Sequence, residues 1–336
     1  MNRYLKVTIT WTSLLLVLAG FCTVSNAQYN RAADAHGFTV YLTDGGWCWY
    51  QDPRAALNDG HLLIGAVKGN GDGEAIVGVY DLEANQPLAK VVVNPAFDHD
   101  DHNSPVFFVR PDNRVLTVYA RHNVDNIHHL RVSEAGDLSK WGPPSEFAHD
   151  YADNVRVTYM NLLEMRDEGK LYNFFRGADW NPWFITSTDG GDSWGEPTHF
   201  IGDELEGVQR PYCRYAGNGK DSVFVSLTDA HPRQYGNSIY YAEFRGGKFF
   251  KADGSLVKDL KADGPLLPSE ADLVYQGSGL PGRGHALSAE GAAWTSSIAA
   301  DKQGHPHIAY TLYLSNTDHR YRLASWDGNK WVDREV

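Results

Sequence analysis

The chain has 336 residues and a formal net charge of −12 at pH 7, with 42 acidic and 30 basic side chains. This balance makes nucleic acid a poor candidate partner, because affinity for nucleic acid depends on cationic side chains that neutralise phosphates. It does not exclude an anionic sugar, since the local field of a cleft matters more than the net charge.

Residues 1–27 have the pattern of a Sec signal peptide. Arg3 and Lys6 are followed by the apolar run "LLLVLAGF" and by the small-residue cleavage site "SNA". No later run approaches the roughly 18 apolar residues of a membrane span. We therefore expect residues 28–336 to form a secreted or periplasmic domain with no membrane span.

Two cysteines, Cys48 and Cys213, lie beyond the predicted signal peptide. They can form one disulfide, share a metal, or remain buried and free. Two cysteines do not make a disulfide scaffold, so the fold must depend on its hydrophobic core.

The remainder consists of short β-rich runs separated by Gly, Asp, Asn and Pro. Such runs, with few helix signals, favour a sandwich, a barrel or a propeller. Internal repetition decides among these, because a strand–turn–strand unit recurs about every 50 residues. The predicted fold is an all-β propeller of four-stranded antiparallel blades. Five units are recognisable, and they start near Trp47, His102, Tyr159, Arg210 and Trp294.

Two stretches of the sequence predict tight turns between outer blade strands. "STDGGDSW" has the Asp-box spacing, with Ser187, Asp189, Gly191 and Trp194 at the key positions, and "EAGDLSKW" (Glu134–Trp141) is a degenerate copy. Asp189 is expected to accept hydrogen bonds from turn amides, and the glycines to take positive φ. This motif specifies the fold and not catalysis.

Two histidines bracket the predicted hairpin "SPVFFVRPDNRVLTVYA". In a propeller the first strand of a blade starts at the face where the second strand ends, so His102 and His122 should meet at one rim. Tyr159 and Arg176 hold the equivalent places in the next blade. The sequence therefore predicts two imidazoles, a phenol and a guanidinium at one mouth of the central funnel.

This set of groups suits β-elimination on a uronic acid. Arginine pairs well with the sugar carboxylate, histidine can exchange the C5 proton, and a tyrosine hydroxyl can protonate the leaving oxygen. A glycosidase would instead need two carboxylates roughly 5–10 Å apart. Asp100 and Asp101 are a poor pair for that role, because neighbours on a strand point to opposite faces.

Several nearby residues have two interpretations. Tyr159 can be a core aromatic residue, and Arg176 can pair with a blade carboxylate such as Asp179. Trp180 and Trp183 can stack on a sugar ring or pack between blades. The pair His128 and His129 is placed one strand farther out and is not expected in the site.

The sequence also resembles a known family. "GGWCWYQDPRA", "DDHNSPVFFVRPDNRVLTVYARHN", "VTYMNLL" with "NFFRG", and the Asp-box turn resemble the BNR-type seven-bladed propeller lyases, a group that includes ulvan lyases and rhamnose–glucuronate lyases. The resemblance spans residues 45–326. It implies seven blades where five units are counted, so the N-terminal segment and the insertion at Lys251–Glu270 must complete the ring, or the chain is C-terminally incomplete.

The resemblance implies specific residue roles. It places the active-site histidines at His102 and His122, the tyrosine at Tyr159 and the arginine at Arg176. We assign His102 and Tyr159 to proton transfer, and His122 and Arg176 to neutralisation of the carboxylate. The expected substrate contacts are Arg210, Tyr212, Trp180 and Asn123.

No cofactor is expected for the chemistry, although the resemblance implies a structural zinc or calcium ion. The residues that offer zinc ligands are Cys213, His231, His305 and His307, and Cys213 with His231 is the preferred pair. Their spacing matches no established zinc motif.

Three functions remain open. The first is a secreted lyase, expected as a monomer, acting on an anionic polysaccharide such as ulvan. The second is a propeller hydrolase of the rhamnosidase or sialidase kind, although no convincing arginine cluster with a Tyr–Glu nucleophile pair is present. The third is a module that binds an acidic glycan without cleaving it. The insertion at Lys251–Glu270 can wall one end of the funnel and so affect endo or exo action.

Overall fold

A computed structural model describes residues 37–70, 72–205, 211–282 and 288–336. The predicted signal peptide (1–27) and Arg210 lie outside these residues. Within them, none of the helices has the length and apolar character needed to cross a membrane.

The described strands form five antiparallel sheets, called blades 1 to 5 in chain order. Blade 1 contains β1 (Ala55–Asn58), β2 (His61–Val67), β3 (Ala75–Asp81) and β4 (Gln86–Asn94). Blade 2 contains β5 (Val106–Val109), β6 (Val115–Tyr119), β7 (Ile127–Glu134), β8 (Asp137–Trp141) and β9 (Ser145–Ala148). Blade 3 contains β10 (Thr158–Met165), β11 (Lys170–Arg176), β12 (Pro182–Ser187) and β13 (Thr198–His199).

Blades 4 and 5 complete the described part of the fold. Blade 4 contains β14 (Cys213–Gly217), β15 (Val223–Thr228), β16 (Ile239–Arg245), β17 (Lys248–Phe250), β18 (Leu256–Asp259) and β19 (Asp272–Tyr275). Blade 5 contains β20 (Ala292–Ala300), β21 (Pro306–Tyr313), β22 (His319–Trp326) and β23 (Trp331–Glu335). The helices are short: α1 (Leu260–Asp263) and the 3₁₀ helices Asp101–Asn103, Arg166–Glu168, Ala178–Trp180 and Pro268–Glu270.

The first strands of successive blades face one another. β1 contacts β5, β5 contacts β10, β10 contacts β14, and β14 contacts β20. The predicted all-β propeller of antiparallel blades is therefore confirmed: blades 1, 3 and 5 have the predicted four strands, whereas blade 2 has five and blade 4 has six. The five blades match the five units counted in the sequence. The seven-blade count implied by the resemblance stays a prediction.

Apolar side chains fill the spaces between neighbouring blades. Phe107 and Trp141 of blade 2 pack with Leu63 and Val77 of blade 1. The other three spaces are built in the same way, from blades 2 and 3, 3 and 4, and 4 and 5.

The turn at Ser187–Trp194 shows why its glycines are needed. Asp189 Oδ1 accepts hydrogen bonds from the backbone N–H groups of Asp192 (3.0 Å) and Ser193 (2.9 Å). Gly191 has φ +90°, and a Cβ there would lie 2.4 Å from Leu116 of blade 2. The turn thus fixes the approach of blade 3 to blade 2, and it lies outside the pocket described below.

The insertion at Lys251–Glu270 extends blade 4 at its outer edge. It forms β18, which pairs with β17, and then α1 and a 3₁₀ helix. Its residues do not line the central pocket, and its effect on endo or exo action stays a prediction.

Candidate functional site

The segment that precedes β1 and contains Cys48, Trp49 and Tyr50 lies at the mouth of the propeller. The buried Tyr50 ring packs against Tyr159 (5.3 Å between ring centroids), Tyr212 (5.0 Å) and Trp294 (6.2 Å). Asn161 Nδ2 donates to the carbonyl oxygen of Tyr50 at 3.0 Å, and so ties this segment to blade 3. The segment thus forms the floor on which the candidate site is built.

An open cavity of about 450 Å³ lies above this floor. It is lined by all four predicted catalytic residues, by three of the four predicted substrate contacts and by His231. The described lining residues are Cys48, Trp49, Tyr50, Asp101, His102, His122, Asn123, Tyr159, Arg176, Trp180, Tyr212, His231, Arg233 and Trp294.

His102 and His122 lie side by side, as their strand positions predict. Their rings are stacked, with centroids 4.1 Å apart and planes 20° apart. His102 belongs to the 3₁₀ helix Asp101–Asn103 and not to the start of β5 itself. Asn103 fixes the second histidine, because its Oδ1 accepts the backbone N–H of His122 at 2.7 Å.

Asp100 joins the two imidazoles. Its Oδ1 lies 2.5 Å from His102 Nδ1, and its Oδ2 lies 2.9 Å from His122 Nδ1. Asp101 Oδ1 is also 2.9 Å from His102 Nδ1. The expectation that Asp100 and Asp101 point to opposite faces is wrong, because the chain turns here into a helix whose N-cap is Asp100.

This arrangement favours a charged His102. Burial opposes its protonation, but the hydrogen bond to Asp100 and the nearby Cys48 outweigh that cost and raise the pKa of His102 to about 10. Burial likewise opposes ionisation of Asp100, yet its bonds to His102 and His122 hold its pKa well below the ordinary value. At neutral pH the pair is therefore an imidazolium beside a carboxylate.

Tyr159 lies at an irregularity in β10. Its φ is +63°, in the left-handed region that an aromatic residue rarely adopts, and the register of β10 against β11 shifts between Thr158 and Asn161. Asn161 Nδ2 holds the Tyr159 carbonyl at 2.7 Å. Such strain occurs preferentially at functional sites. Burial raises the pKa of Tyr159 well above its ordinary value, so the phenol keeps its proton.

Arg176, at the end of β11, is packed between aromatic rings. Its guanidinium carbon lies 4.6 Å from the ring centroids of both Tyr159 and Trp180. Nη1 donates to the Tyr212 hydroxyl at 3.4 Å, whereas Nη2 is buried without a hydrogen-bond partner among the described residues. A buried donor without a partner is costly, so Nη2 is available for an acceptor that enters the pocket.

The two tryptophans of "GADWNPW" lie in different environments. Trp180 lines the pocket and is 41% exposed. Trp183 packs against His199 (4.6 Å) and donates through Nε1 to the carbonyl oxygen of Ala178. His128 is buried between Phe147 and Phe175, away from the pocket.

The family model described as "BNR repeat-containing family member" matches residues 47–336. The chain belongs to this family. No curated protein matches this BNR-repeat protein significantly in sequence.

Solved structures share its fold. One is a polysaccharide lyase of family PL25, an ulvan lyase bound to –[GlcA(1-4)Rha3S]–, with a TM-score of 0.65, 17% identity, and coverage of 87% of this chain and 73% of that one. A second structure of a PL25 ulvan lyase gives 0.66 and 18%, with the same coverage. The polysaccharide lyase Uly1 gives 0.53 and 13%, covering 94% and 76%. At these identities the similarity shows the fold alone.

Some site residues of this BNR-repeat protein were missed in the sequence. They are Asp100, Trp49, Tyr50, Arg233 and Trp294. The aromatic run "GGWCWYQ" could have signalled the floor, since it has three aromatic residues within four positions. No local sequence pattern marks Arg233, which lies between β15 and β16 of blade 4 and lines the pocket.

The structural zinc or calcium ion, with Cys213 and His231 as its preferred ligands, stays a prediction. Among the described residues, only Asp100, His102 and His122 form a group of three ligand atoms close enough for one ion, within 4.8 Å of one another. Cys213 and His231 are not in such a group. Burial raises the pKa of the Cys213 thiol to about 12, which disfavours the thiolate that zinc requires. Cys48 and Cys213 are both buried and free.

We expect Asp100→Asn to flatten the pH dependence of stability. The folded-state pKa of His102 is about 10 against an ordinary 6.5, so proton binding stabilises the fold below about pH 6.5 and this contribution is lost as the pH rises toward 10. In the unaltered protein the free energy of unfolding should therefore fall between pH 6.5 and 10. Urea denaturation at several pH values measures this slope.

Asp112→Asn is the matched control for this experiment. Asp112 pairs with Arg114 on the surface, and arginine does not titrate in this pH range. The control should keep the slope of the unaltered protein. An equally steep slope in Asp100→Asn would show that Asp100 does not hold the proton on His102.

Proposed function

We propose that this protein is a polysaccharide lyase that cleaves the bond to the 4-position of a uronic acid by β-elimination. One observation carries the proposal: a single pocket combines two imidazoles, a phenol and an arginine with a buried donor unpaired, and Asp101 is its one carboxylate among the described lining residues. A retaining or inverting glycosidase needs two carboxylates. The ligand of the PL25 ulvan lyase supports a glucuronate–rhamnose glycan as substrate.

Arg176 is proposed to hold the uronate carboxylate. Neutralisation of that group acidifies the C5 proton, which is the first requirement of the reaction. The guanidinium is positioned by Tyr159 and Trp180, and its buried Nη2 has no hydrogen-bond partner among the described residues. Charge-assisted bonds from arginine to carboxylate are strong and directional.

The two histidines are proposed to have different roles in the reaction. With a pKa of about 10, His102 is a cation at neutral pH and suits stabilisation of the enolate charge. His122 is hydrogen-bonded to Asp100 through Nδ1, so Nε2 is the nitrogen that is proposed to accept the C5 proton. This proposal reverses the roles that the sequence assigned to the two histidines.

Tyr159 is proposed to protonate the leaving oxygen. In the balanced step, the C5–H bond breaks and its proton passes to the base. The C4–O bond then breaks as C4=C5 forms, and the departing oxygen takes the phenolic proton. A retained phenolic proton, which burial favours, is what this role needs.

Absorbance near 232 nm tests the reaction, because the 4,5-unsaturated uronate absorbs there and hydrolysis products do not. The purified protein is mixed with ulvan and, separately, with a rhamnose-capped arabinogalactan. We expect the absorbance to rise with at least one of them, and the better substrate names the glycan. Reducing sugar without absorbance would indicate a hydrolase, and binding without either product would indicate a lectin.

The proposed site of action is outside the cytoplasm. Its support is the signal-peptide pattern at residues 1–27.

A further inference from the structure

A side pocket continues from the main pocket past Trp180. It has a volume of about 190 Å³ and shares Asn123, Arg176 and Trp180 with the main pocket. Asn154, Arg156, Gly177 and Asp179 form the rest of its lining. Asp179 is the one described carboxylate in this lining, against two arginines, so the side pocket favours anionic groups.

Arg156 is exposed at the edge of the side pocket. Its Nη1 donates to the backbone carbonyl of Asn123 at 3.3 Å. Asn123 directly follows His122, and its N–H is held by Thr158 Oγ1 at 3.0 Å. The guanidinium is therefore positioned beside the catalytic segment while its other N–H groups face solvent.

Arg233 lies at the other side of the main pocket. Its backbone N–H donates to His231 Nδ1 at 3.0 Å, and the His231 ring packs on Trp294 at 4.7 Å. His231 also contacts Tyr212 (5.4 Å), whose far side meets Arg176. Arg233 therefore adjoins the catalytic group from blade 4, between β15 and β16, whereas Arg156 adjoins it from the segment before β10.

These two arginines differ from most others in the described part of the chain. Nine arginines there form ion pairs with carboxylates: Arg54, Arg110, Arg114, Arg121, Arg166, Arg214, Arg245, Arg320 and Arg322. Arg156 and Arg233 pair with no described carboxylate. Exposed cations that line a cleft without an internal counter-charge are suited to an anionic ligand.

We propose that the cleft binds an internal segment of a polyanionic glycan, with Arg156 and Arg233 each binding an anionic substituent of a sugar that flanks the reacting uronate. The substituent is a carboxylate or a sulfate. This inference rests on the proposed function and deepens it. A site that binds anionic groups on both sides of the reacting uronate cleaves bonds within the glycan chain. A chain end would occupy only one of the two arginines.

The test uses Arg156→Gln and Arg233→Gln in the full protein, with ulvan as substrate. Each variant should raise KM by about 5- to 10-fold and leave kcat within about two-fold, as expected for the loss of one partly exposed charge-assisted contact. Arg334→Gln, an exposed arginine on β23, is the matched control and should behave as the unaltered protein. Early products of the unaltered enzyme, separated by size, should be long oligosaccharides.

Chemically desulfated ulvan distinguishes the two sources of charge. If the KM effect disappears on that substrate, the bound group is a sulfate, and if it persists, the group is a carboxylate. Unchanged KM in either variant overturns the two-sided cleft, and so do disaccharides as the only early product.

Failure of the proposed function has a different signature. If the unaltered protein produces no absorbance at 232 nm on any substrate, retardation in gels containing ulvan still tests the cleft. Reduced retardation of both variants, relative to Arg334→Gln, would support an anion-binding groove without lyase activity. Equal retardation of all four proteins would overturn it.

Discussion

Tyr159→Phe is expected to lower kcat for elimination by about 10³-fold, because the leaving oxygen loses its proton donor. The change removes one hydroxyl group and keeps the ring that packs against Tyr50 and under Arg176. The positive φ of residue 159 is a property of the backbone and applies equally to phenylalanine. The fold should therefore survive, and kcat is measured from the initial rise at 232 nm.

Tyr215→Phe is the control for this variant. Tyr215 is a buried tyrosine of β14 that packs on Phe174, outside the main pocket. Loss of its hydroxyl should leave kcat within about two-fold. If Tyr159→Phe kept more than about a tenth of the activity, another group would have to protonate the leaving oxygen.

Arg176→Lys is expected to lower kcat/KM by at least about 10²-fold although the positive charge remains. A lysine ammonium cannot form the two parallel bonds that a guanidinium makes with a carboxylate, and it does not stack between two rings in the same way. The planar group of Arg176 lies 4.6 Å from the ring centroids of both Tyr159 and Trp180. The substitution thus tests geometry separately from charge.

Arg114→Lys provides the comparison. Arg114 pairs with Asp112 in the turn between β5 and β6 and lines a different pocket, so kcat/KM should not change. If Arg176→Lys retained kcat/KM within about three-fold, a simple positive charge would suffice, and bidentate capture of the carboxylate would be excluded.

The pairing of His102 with His122 illustrates what strand periodicity can predict. One residue precedes the first strand of blade 2 and the other follows the second strand, and an antiparallel hairpin brings such positions together whatever lies between them. The same argument correctly placed Tyr159 near Arg176 in blade 3. These contacts follow from the order of strands and need no knowledge of side-chain packing.

Asp100 illustrates the limit of that reasoning. From the sequence we expect a strand geometry for this segment, in which the neighbours Asp100 and Asp101 would point to opposite faces. The chain instead forms a 3₁₀ turn capped by Asp100, whose carboxylate reaches both imidazoles. Local propensity does not distinguish a strand from a single helical turn at such a short segment, so the charge state of His102 could not be predicted.

Strand alternation and turn residues are local and repeat along the chain. They therefore suffice to predict the all-β propeller, its five repeating units and the rim positions of the two histidines, Tyr159 and Arg176. The floor and wall formed by Tyr50 and Trp294, and the position of Arg233 at the pocket, depend instead on contacts that arise on folding. These residues are separated by up to 244 positions in the chain. They meet because apolar burial between blades brings distant strands together, and a local pattern carries no record of that contact.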